Sequence, residues 1–134
     1  MDETSGGDQS VAKLFLLLGA LAMALGVAIG AFGAHGLDGK ISERMMSNYQ
    51  TGVHYHMVHG LGLIAAGLFA LKLGSSGLVN GAGWAFLAGI VLFSGSLYVM
   101  ALTGITKLGA ITPIGGVAFI VGWVLLGLAA MRHL

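Results

Sequence analysis

Three of the five histidines, His54, His56 and His59, lie in one short stretch that also contains Tyr55. On an α-helix, His59 has His56 as its i,i+3 neighbour and Tyr55 as its i,i+4 neighbour, so these side chains lie together. His54 points about 200° away from His56, because successive helical residues turn by roughly 100°. A fourth histidine, His35, ends the preceding apolar stretch, and one loop connects it to this group. The spacing therefore predicts a cluster of imidazole and phenol groups.

Imidazole groups at this spacing suit three kinds of chemistry. A zinc site built from His35, His56 and His59 would need a fourth ligand from the acidic loop between them, since zinc usually takes four. Histidines inside a bundle can also ligate haem or relay protons near neutral pH. The simpler interpretation is that they only form hydrogen bonds, with loop backbone and with Tyr49 or Tyr55. We predict no resident cofactor, with metal and haem as open alternatives.

Hydroxyl groups on a later apolar stretch extend this cluster. Ser94 and Tyr98 are i,i+4 neighbours and are expected to hydrogen-bond across helices with His56 or His59. No GxSxG motif is present, and every Asp and Glu lies in the first third of the chain. We therefore predict a protein without catalytic residues. The candidate polar cluster comprises His35, Tyr49, His54, Tyr55, His56, His59, Ser94, Ser96 and Tyr98.

The distribution of charge along the chain indicates whether these groups lie in water or in a membrane. Of the 134 residues, 57% are hydrophobic and 8% are charged, whereas soluble domains carry about 25% charged residues. Charged residues are absent between Leu14 and Leu37, and only Lys107 interrupts the run between Lys72 and Arg132. About 20 apolar residues suffice to cross a bilayer as a helix. The sequence therefore predicts an integral membrane protein whose partner is the lipid bilayer, while a net charge of +1 gives no reason to expect nucleic acid.

We expect an all-α fold, an integral membrane four-helix bundle with short loops, because helices satisfy their own backbone groups in lipid. A single transmembrane domain, residues 11–134, is expected to have spans at about 11–34, 53–71, 84–102 and 108–131. Residues 1–10 are expected to form a polar, disordered tail. Acidic rather than basic residues precede the first apolar stretch, which predicts an uncleaved helix and not a signal peptide.

Four spans place both termini on one side of the membrane. The basic residues divide equally, so the positive-inside rule does not decide the orientation. The side of the termini holds Lys13, Lys72 and Arg132, and the opposite side holds Lys40, Arg44 and Lys107.

Three connections join the spans. The longest, from His35 to Gly52, has apolar residues at helical spacing and is expected to contain a short amphipathic segment. Gly74-Ser-Ser-Gly77 with Asn80-Gly81 predicts a turn before the third span. A tight connection, Thr103–Lys107, precedes the fourth.

Small residues predict how the helices pack. In the first span they recur every four residues, at Ala22, Gly26, Gly30 and Ala34. In the fourth, Gly115 and Gly116 offer a similar surface. Close approach of membrane helices depends on such residues, either within one bundle or between copies in a homo-oligomer. Both interpretations stay open.

Pro113 is the only proline, and it predicts the start of the last helix. Proline is tolerated in a first helical turn because its missing N–H would have no intrahelical partner there. Thr112 or Thr106 is expected to cap this helix start.

Five ordered motifs resemble a known family. They are Leu17-Leu-Gly-Ala-Leu21, Gly30-Ala-Phe-Gly-Ala-His-Gly36, Thr51-Gly-Val-His-Tyr-His-Met-Val-His59, Leu92-Phe-Ser-Gly-Ser-Leu-Tyr98 with Ala101-Leu-Thr-Gly104, and Gly109-Ala-Ile-Thr-Pro-Ile-Gly-Gly116 with Gly122-Trp123. Together they are similar to the DUF423 family of small bacterial inner-membrane proteins, which is related to the transmembrane protein 256 family. The resemblance implies four membrane helices with cytoplasmic termini, and it implies no activity. The family often has Glu where this chain has Gln50.

The sequence thus favours a non-enzymatic accessory or oligomer-forming component of the bacterial inner membrane. Its partners would be lipid and either further copies of itself or a larger membrane complex. A permeation protein for small molecules, lipids or ions, using the polar cluster, is the alternative. A metal- or haem-binding redox protein is a third interpretation.

Overall fold

The computed structural model describes residues 3–134, with side chains described from Gln9 onward. Within that part of the chain, four helical segments are long and apolar enough to cross a membrane: Gln9–Leu37, Glu43–Leu73, Gly77–Thr103 and Thr106–His133. Their α-helices are α1 (Glu3–Phe32), α2 (Glu43–Leu73), α3 (Gly77–Gly89), α4 (Gly95–Thr103) and α5 (Thr112–His133). The predicted all-α membrane fold with four spans is confirmed.

Two of the spans contain a π-helical turn. The first span continues beyond α1 through the turn Gly33–Leu37. In the third span, the turn Ile90–Ser94 joins α3 to α4 without a break in the helical path. A π turn holds one extra residue and so changes the direction of the side chains that follow it. The turn in the third span places Ser94 against α2 and Phe93 against α5.

The second span starts earlier than predicted, at Glu43 rather than near residue 53. The expected amphipathic segment of the loop is the first part of α2. Ser42 caps this helix, because its hydroxyl accepts a hydrogen bond from the Met45 N–H at 3.2 Å. The Glu43 carboxylate lies in the first turn, where the helix dipole favours negative charge. The histidines consequently lie near the middle of the helix.

The third span also starts earlier than predicted, at Gly77 rather than near residue 84. The hydroxyl of Ser76 accepts a hydrogen bond from the Val79 N–H at 3.3 Å and so caps α3. Gly74 ends α2 with a φ of 82°, a conformation that favours glycine. The prediction that Asn80-Gly81 forms part of this turn is wrong, since both residues lie inside α3.

The two outer spans differ from expectation at their starts. α1 already begins at Glu3, within the segment that the sequence assigns to a disordered tail, and no proline interrupts its hydrogen bonds. Pro113 lies in the first turn of α5, as predicted. The predicted cap is wrong: the residue before the helix is Ile111, and no side chain caps it. The Thr112 hydroxyl instead binds another helix.

The helices pack in two pairs around α2 and α3. α1 lies mainly against α2, α5 lies mainly against α3, and α2 contacts α3 between them. Four small or branched residues from the four spans meet at the end of the bundle that holds both termini: Ala12, Ala70, Val79 and Ala129. At the opposite end, Leu37, Tyr49 and Ala101 form a second cluster.

Glycines accept aromatic rings from neighbouring helices. A Cβ built on Gly83 would meet the ring of Phe15, and one built on Gly89 would meet the ring of Phe119. Phe86 lies against both Gly62 and Gly122. These rings are buried in the apolar core, so the glycines make room for large side chains as well as for close backbones.

The predicted small-residue surface of α1 faces α2 for most of its length. Ala22 and Gly26 are buried, and a Cβ on Gly26 would meet the side chain of Met57. A Cβ on Gly30 would lie 3.3 Å from Val53, whereas Ala34 is exposed in the π turn. This surface therefore serves packing within one bundle.

We expect Gly115→Ala to destabilise the bundle by about 1–3 kcal/mol, the usual cost of overpacking. An added Cβ would collide with the backbone of Phe93, which cannot rotate away. Thermal unfolding in detergent measures the effect. Gly127→Ala is the matched control on the same helix, because nothing lies within 4 Å of its Cβ. Equal melting temperatures for the two variants would contradict this packing.

Candidate functional site

His56 connects three helices at the centre of the protein. Its Nε2 lies 2.7 Å from the backbone oxygen of Ala22 on α1, and its Nδ1 lies 2.8 Å from the hydroxyl of Tyr98 on α4. A carbonyl oxygen only accepts, so Nε2 carries the proton. In the neutral ring Nδ1 then accepts a hydrogen bond from Tyr98. The buried imidazole therefore has both nitrogens satisfied without water.

The residues beside His56 bind backbone oxygens. The hydroxyl of Ser94, fully buried in the π turn of the third span, donates to the Gly52 carbonyl of α2 at 2.7 Å. The Tyr49 hydroxyl donates to the Ile29 carbonyl of α1 at 2.5 Å. The Tyr49 and Tyr98 rings lie 5.3 Å apart. These bonds tie the first three spans together on the side of the bundle opposite the termini.

His59 forms a separate group with α5. Its Nδ1 lies 2.7 Å from the backbone oxygen of Tyr55, and the indole N–H of Trp123 donates to its Nε2 at 2.9 Å. The ring also stacks on Phe119, with centroids 3.5 Å apart. Because an indole nitrogen only donates, Nε2 must be unprotonated and Nδ1 must carry the hydrogen. The partners therefore select one neutral tautomer.

Ser96 and Thr112 form a third polar contact, between α4 and α5. Ser96 donates its hydroxyl proton to the backbone oxygen of Phe93 at 2.8 Å. The Thr112 hydroxyl, 2.6 Å away, must therefore donate to the Ser96 oxygen. This hydrogen bond fixes the start of α5 against the π turn of the third span.

The structure thus divides the predicted cluster into three groups and leaves part of it outside. His35 and His54 are exposed, and Tyr55, a residue that is 40% exposed, contributes its backbone oxygen. Because Ser42 caps α2 and the helix begins at Glu43, His54, His56 and His59 lie near the middle of a helix of 31 residues.

No metal cluster is formed by the residues that the structure describes: nowhere do three His, Asp or Glu side chains converge. His35, His56 and His59 are not brought together. In addition, hydrogen bonds occupy both ring nitrogens of His56 and of His59. A metal or a haem iron binds an imidazole nitrogen through its lone pair, which in His56 accepts from Tyr98 and in His59 from Trp123.

Trp123 is a residue of this site that the sequence did not predict. Its depth in the last span was visible in the sequence. An indole N–H in lipid needs an acceptor, and a buried imidazole on a neighbouring helix is one of the few available. That requirement would have pointed to His59.

These features define a small integral membrane protein, a four-span bundle whose interior polar groups bind one another. Residues 29–116 match the family described as "Protein of unknown function (DUF423)". The UPF0382 membrane protein YwdK of Bacillus subtilis strain 168 is 53% identical, over 91% of this chain and 99% of that protein. A UPF0382 membrane protein of Staphylococcus haemolyticus is 52% identical, over 90% of this chain and 97% of the relative. The chain therefore belongs to the DUF423 family, as its motifs predicted.

No solved structure matches the chain. None of the family and relative descriptions above names an enzymatic activity.

We expect Tyr98→Phe to lower the free energy of unfolding by about 0.6–1.7 kcal/mol, the range for interhelical hydrogen bonds in membranes. His56→Phe should cost more, because it also removes the bond to Ala22. A double-mutant cycle should give a coupling energy in the same range of about 0.6–1.7 kcal/mol. Tyr55→Phe is the control, since its hydroxyl has no hydrogen bond within the described residues. Strict additivity of His56→Phe and Tyr98→Phe would rule out the bond.

The two buried histidines should show opposite tautomers in ¹⁵N NMR spectra of labelled protein. The hydrogen-bond partners require Nε2–H for His56 and Nδ1–H for His59. Trp123→Phe should shift the ring signals of His59 and leave those of His56 in place. An Nε2–H signal for His59 in the unaltered protein would contradict the Trp123 contact.

Proposed function

We propose that this protein is a non-enzymatic component of the bacterial inner membrane, with both termini in the cytoplasm, that acts as an accessory subunit or as a self-assembling unit. One observation carries the proposal. Every buried side-chain nitrogen and oxygen within the described residues has a hydrogen-bond partner. Groups that bind one another in this way are not available to polarise a substrate or to coordinate a passing ion.

The hydrogen bonds in the interior of the bundle also argue against permeation through the polar cluster. His56, Tyr98 and Ser94 bridge helices directly, at 2.7–2.8 Å, so no open polar pathway runs between them. The occupied ring nitrogens likewise support a protein without resident metal or haem. The interior of the bundle is best explained as the device that holds the helices in a fixed arrangement.

The outer surface is where other membrane components can bind. In the most apolar 18-residue segment of each span, 22% of the first span and 28% of the fourth are buried within the protein. The corresponding share is 44% in both the second and the third span. Large side chains on α5, including Val117, Ile120 and Val124, are exposed to the surrounding lipid. The outer helices therefore offer the surface on which a partner chain or a second copy would pack.

Flux measurements test the proposal against permeation. In vesicles reconstituted with the protein, we expect proton and small-solute leakage to equal that of empty vesicles, and His56→Phe to leave it unchanged. Leakage above that of empty vesicles that His56→Phe alters, while the control Tyr55→Phe does not, would overturn the proposal.

Extraction in mild detergent tests whether the protein acts as an accessory subunit or as a self-assembling unit. Light scattering should report a mass larger than that of the 13.6 kDa chain with its detergent, because the partner or further copies remain bound. A monomer in every mild detergent and in lipid nanodiscs would count against an accessory or self-assembling role.

A further inference from the structure

A groove with two adjacent parts lies between α2 and α5, and it extends from one membrane face towards the bilayer centre. Its outer part, about 400 Å³, is bordered by the first turns of α2 and the start of α5. Its inner part, about 560 Å³, ends at Trp123. Phe93 and Pro113 line both parts, so the two lie side by side along the protein surface. Exposed Val117 and Ile120 open the inner part to the lipid.

The two ends of the groove differ in chemistry. At the membrane face opposite the termini, the outer part is lined by Arg44, Asn48 and Thr106 beside apolar residues such as Leu97 and Met100. Arg44 has no hydrogen-bond or ion-pair partner within the described residues. The acidic side chains of that face, Asp38 and Glu43, line a separate depression beside the loop. A positive, hydrogen-bonding end thus adjoins an apolar and aromatic one.

The length of the groove matches one leaflet. Along α5, the eleven residues from Pro113 to Trp123, which border the inner part, span about 15 Å at a rise of ~1.5 Å per residue. The hydrocarbon core of a bilayer is about 30 Å thick, so half of it is the depth of one lipid tail. An amphipathic molecule with an anionic head and one extended chain fits both the dimensions and the charge.

We propose that this groove binds an anionic phospholipid, with its phosphate paired to Arg44 and one acyl chain lying between α2 and α5 as far as Trp123. Guanidinium is well suited to this head group, because its planar donors match the oxygens of a phosphate. The Phe93 ring and the exposed branched residues of α5 supply the apolar contacts for the chain. This inference goes beyond the proposed function and stands whether or not the protein has a protein partner.

Quenching of Trp123 fluorescence by brominated lipid tests the proposal. The full-length Trp84→Phe protein, which keeps Trp123 as its sole tryptophan, is reconstituted into vesicles of phosphatidylcholine. A minor fraction of either phosphatidylglycerol or phosphatidylcholine carries dibrominated chains. We expect roughly fivefold stronger apparent binding for phosphatidylglycerol, the preference that one basic residue near anionic lipid provides.

Two pairs of variants of the Trp84→Phe protein distinguish lipid binding in the groove from effects of overall charge or of an added side chain elsewhere. Arg44→Gln should abolish the preference, while Lys40→Gln, which removes one positive charge from the same membrane face, should retain it. Gly116→Leu places a side chain in the groove, where its Cβ lies 3.8 Å from Phe93. It should also abolish the preference, while Gly127→Leu, on an open part of α5, should not. Elution from a sizing column confirms that each variant is folded.

The results decide the proposal either way. Loss of the preference in Arg44→Gln and Gly116→Leu alone supports the lipid site. Equal quenching by the two lipids in the parent protein would mean that only unselected boundary lipid reaches Trp123. A preference that survives Arg44→Gln, or that Lys40→Gln removes equally, would assign it to the overall charge of the surface. Each of these three outcomes overturns the proposal.

Discussion

Lipid offers no hydrogen bonds, so an imidazole buried among membrane helices needs a protein partner for each nitrogen. This constraint determines how the helices around α2 are arranged. His56 reaches α1 through the Ala22 carbonyl and α4 through Tyr98, and His59 reaches α5 through Trp123. Two side chains of one helix therefore connect it to all three other spans. Hydrophobic attraction between helices is weak in a bilayer, so such directional contacts decide which helix faces which.

The glycines and the polar side chains act together. A Cβ on Gly26 would crowd the ring of His56 at 3.4 Å, and one on Gly52 would lie 2.9 Å from the ring of Tyr98. The Tyr49 ring lies in the same way over Gly33. In each case a ring lies over a glycine of a neighbouring helix and places its polar atom on a partner four residues from that glycine. A high glycine content thus allows hydrogen bonds between helices that larger residues would hold apart.

Hydropathy predicts the number and type of the spans because it reports the part of each helix that lies in lipid. It does not report where a helix ends beyond the lipid: α2 has 31 residues, about 46 Å at a rise of ~1.5 Å, against a hydrocarbon core of about 30 Å. The starts set by Ser42 and Ser76 were missed for this reason. The pairing of His56 with Tyr98 was among the predicted contacts, whereas that of His59 with Trp123 was not. Helices that are apolar on every side give little indication of which face turns towards which neighbour.

The π turn in the third span links the closed interior to the outer surface. A regular helix through Ile90–Ser94 would have one residue fewer in that turn, and the residues after it would be rotated by about 100°. The hydroxyl of Ser94 would then no longer face the Gly52 carbonyl while Phe93 lines the groove. Gly115 packs directly on the backbone of this turn, and Thr112 binds Ser96 just beyond it. The position of α5, and with it the width of the groove, therefore depends on the same irregular turn that completes the interior hydrogen bonds.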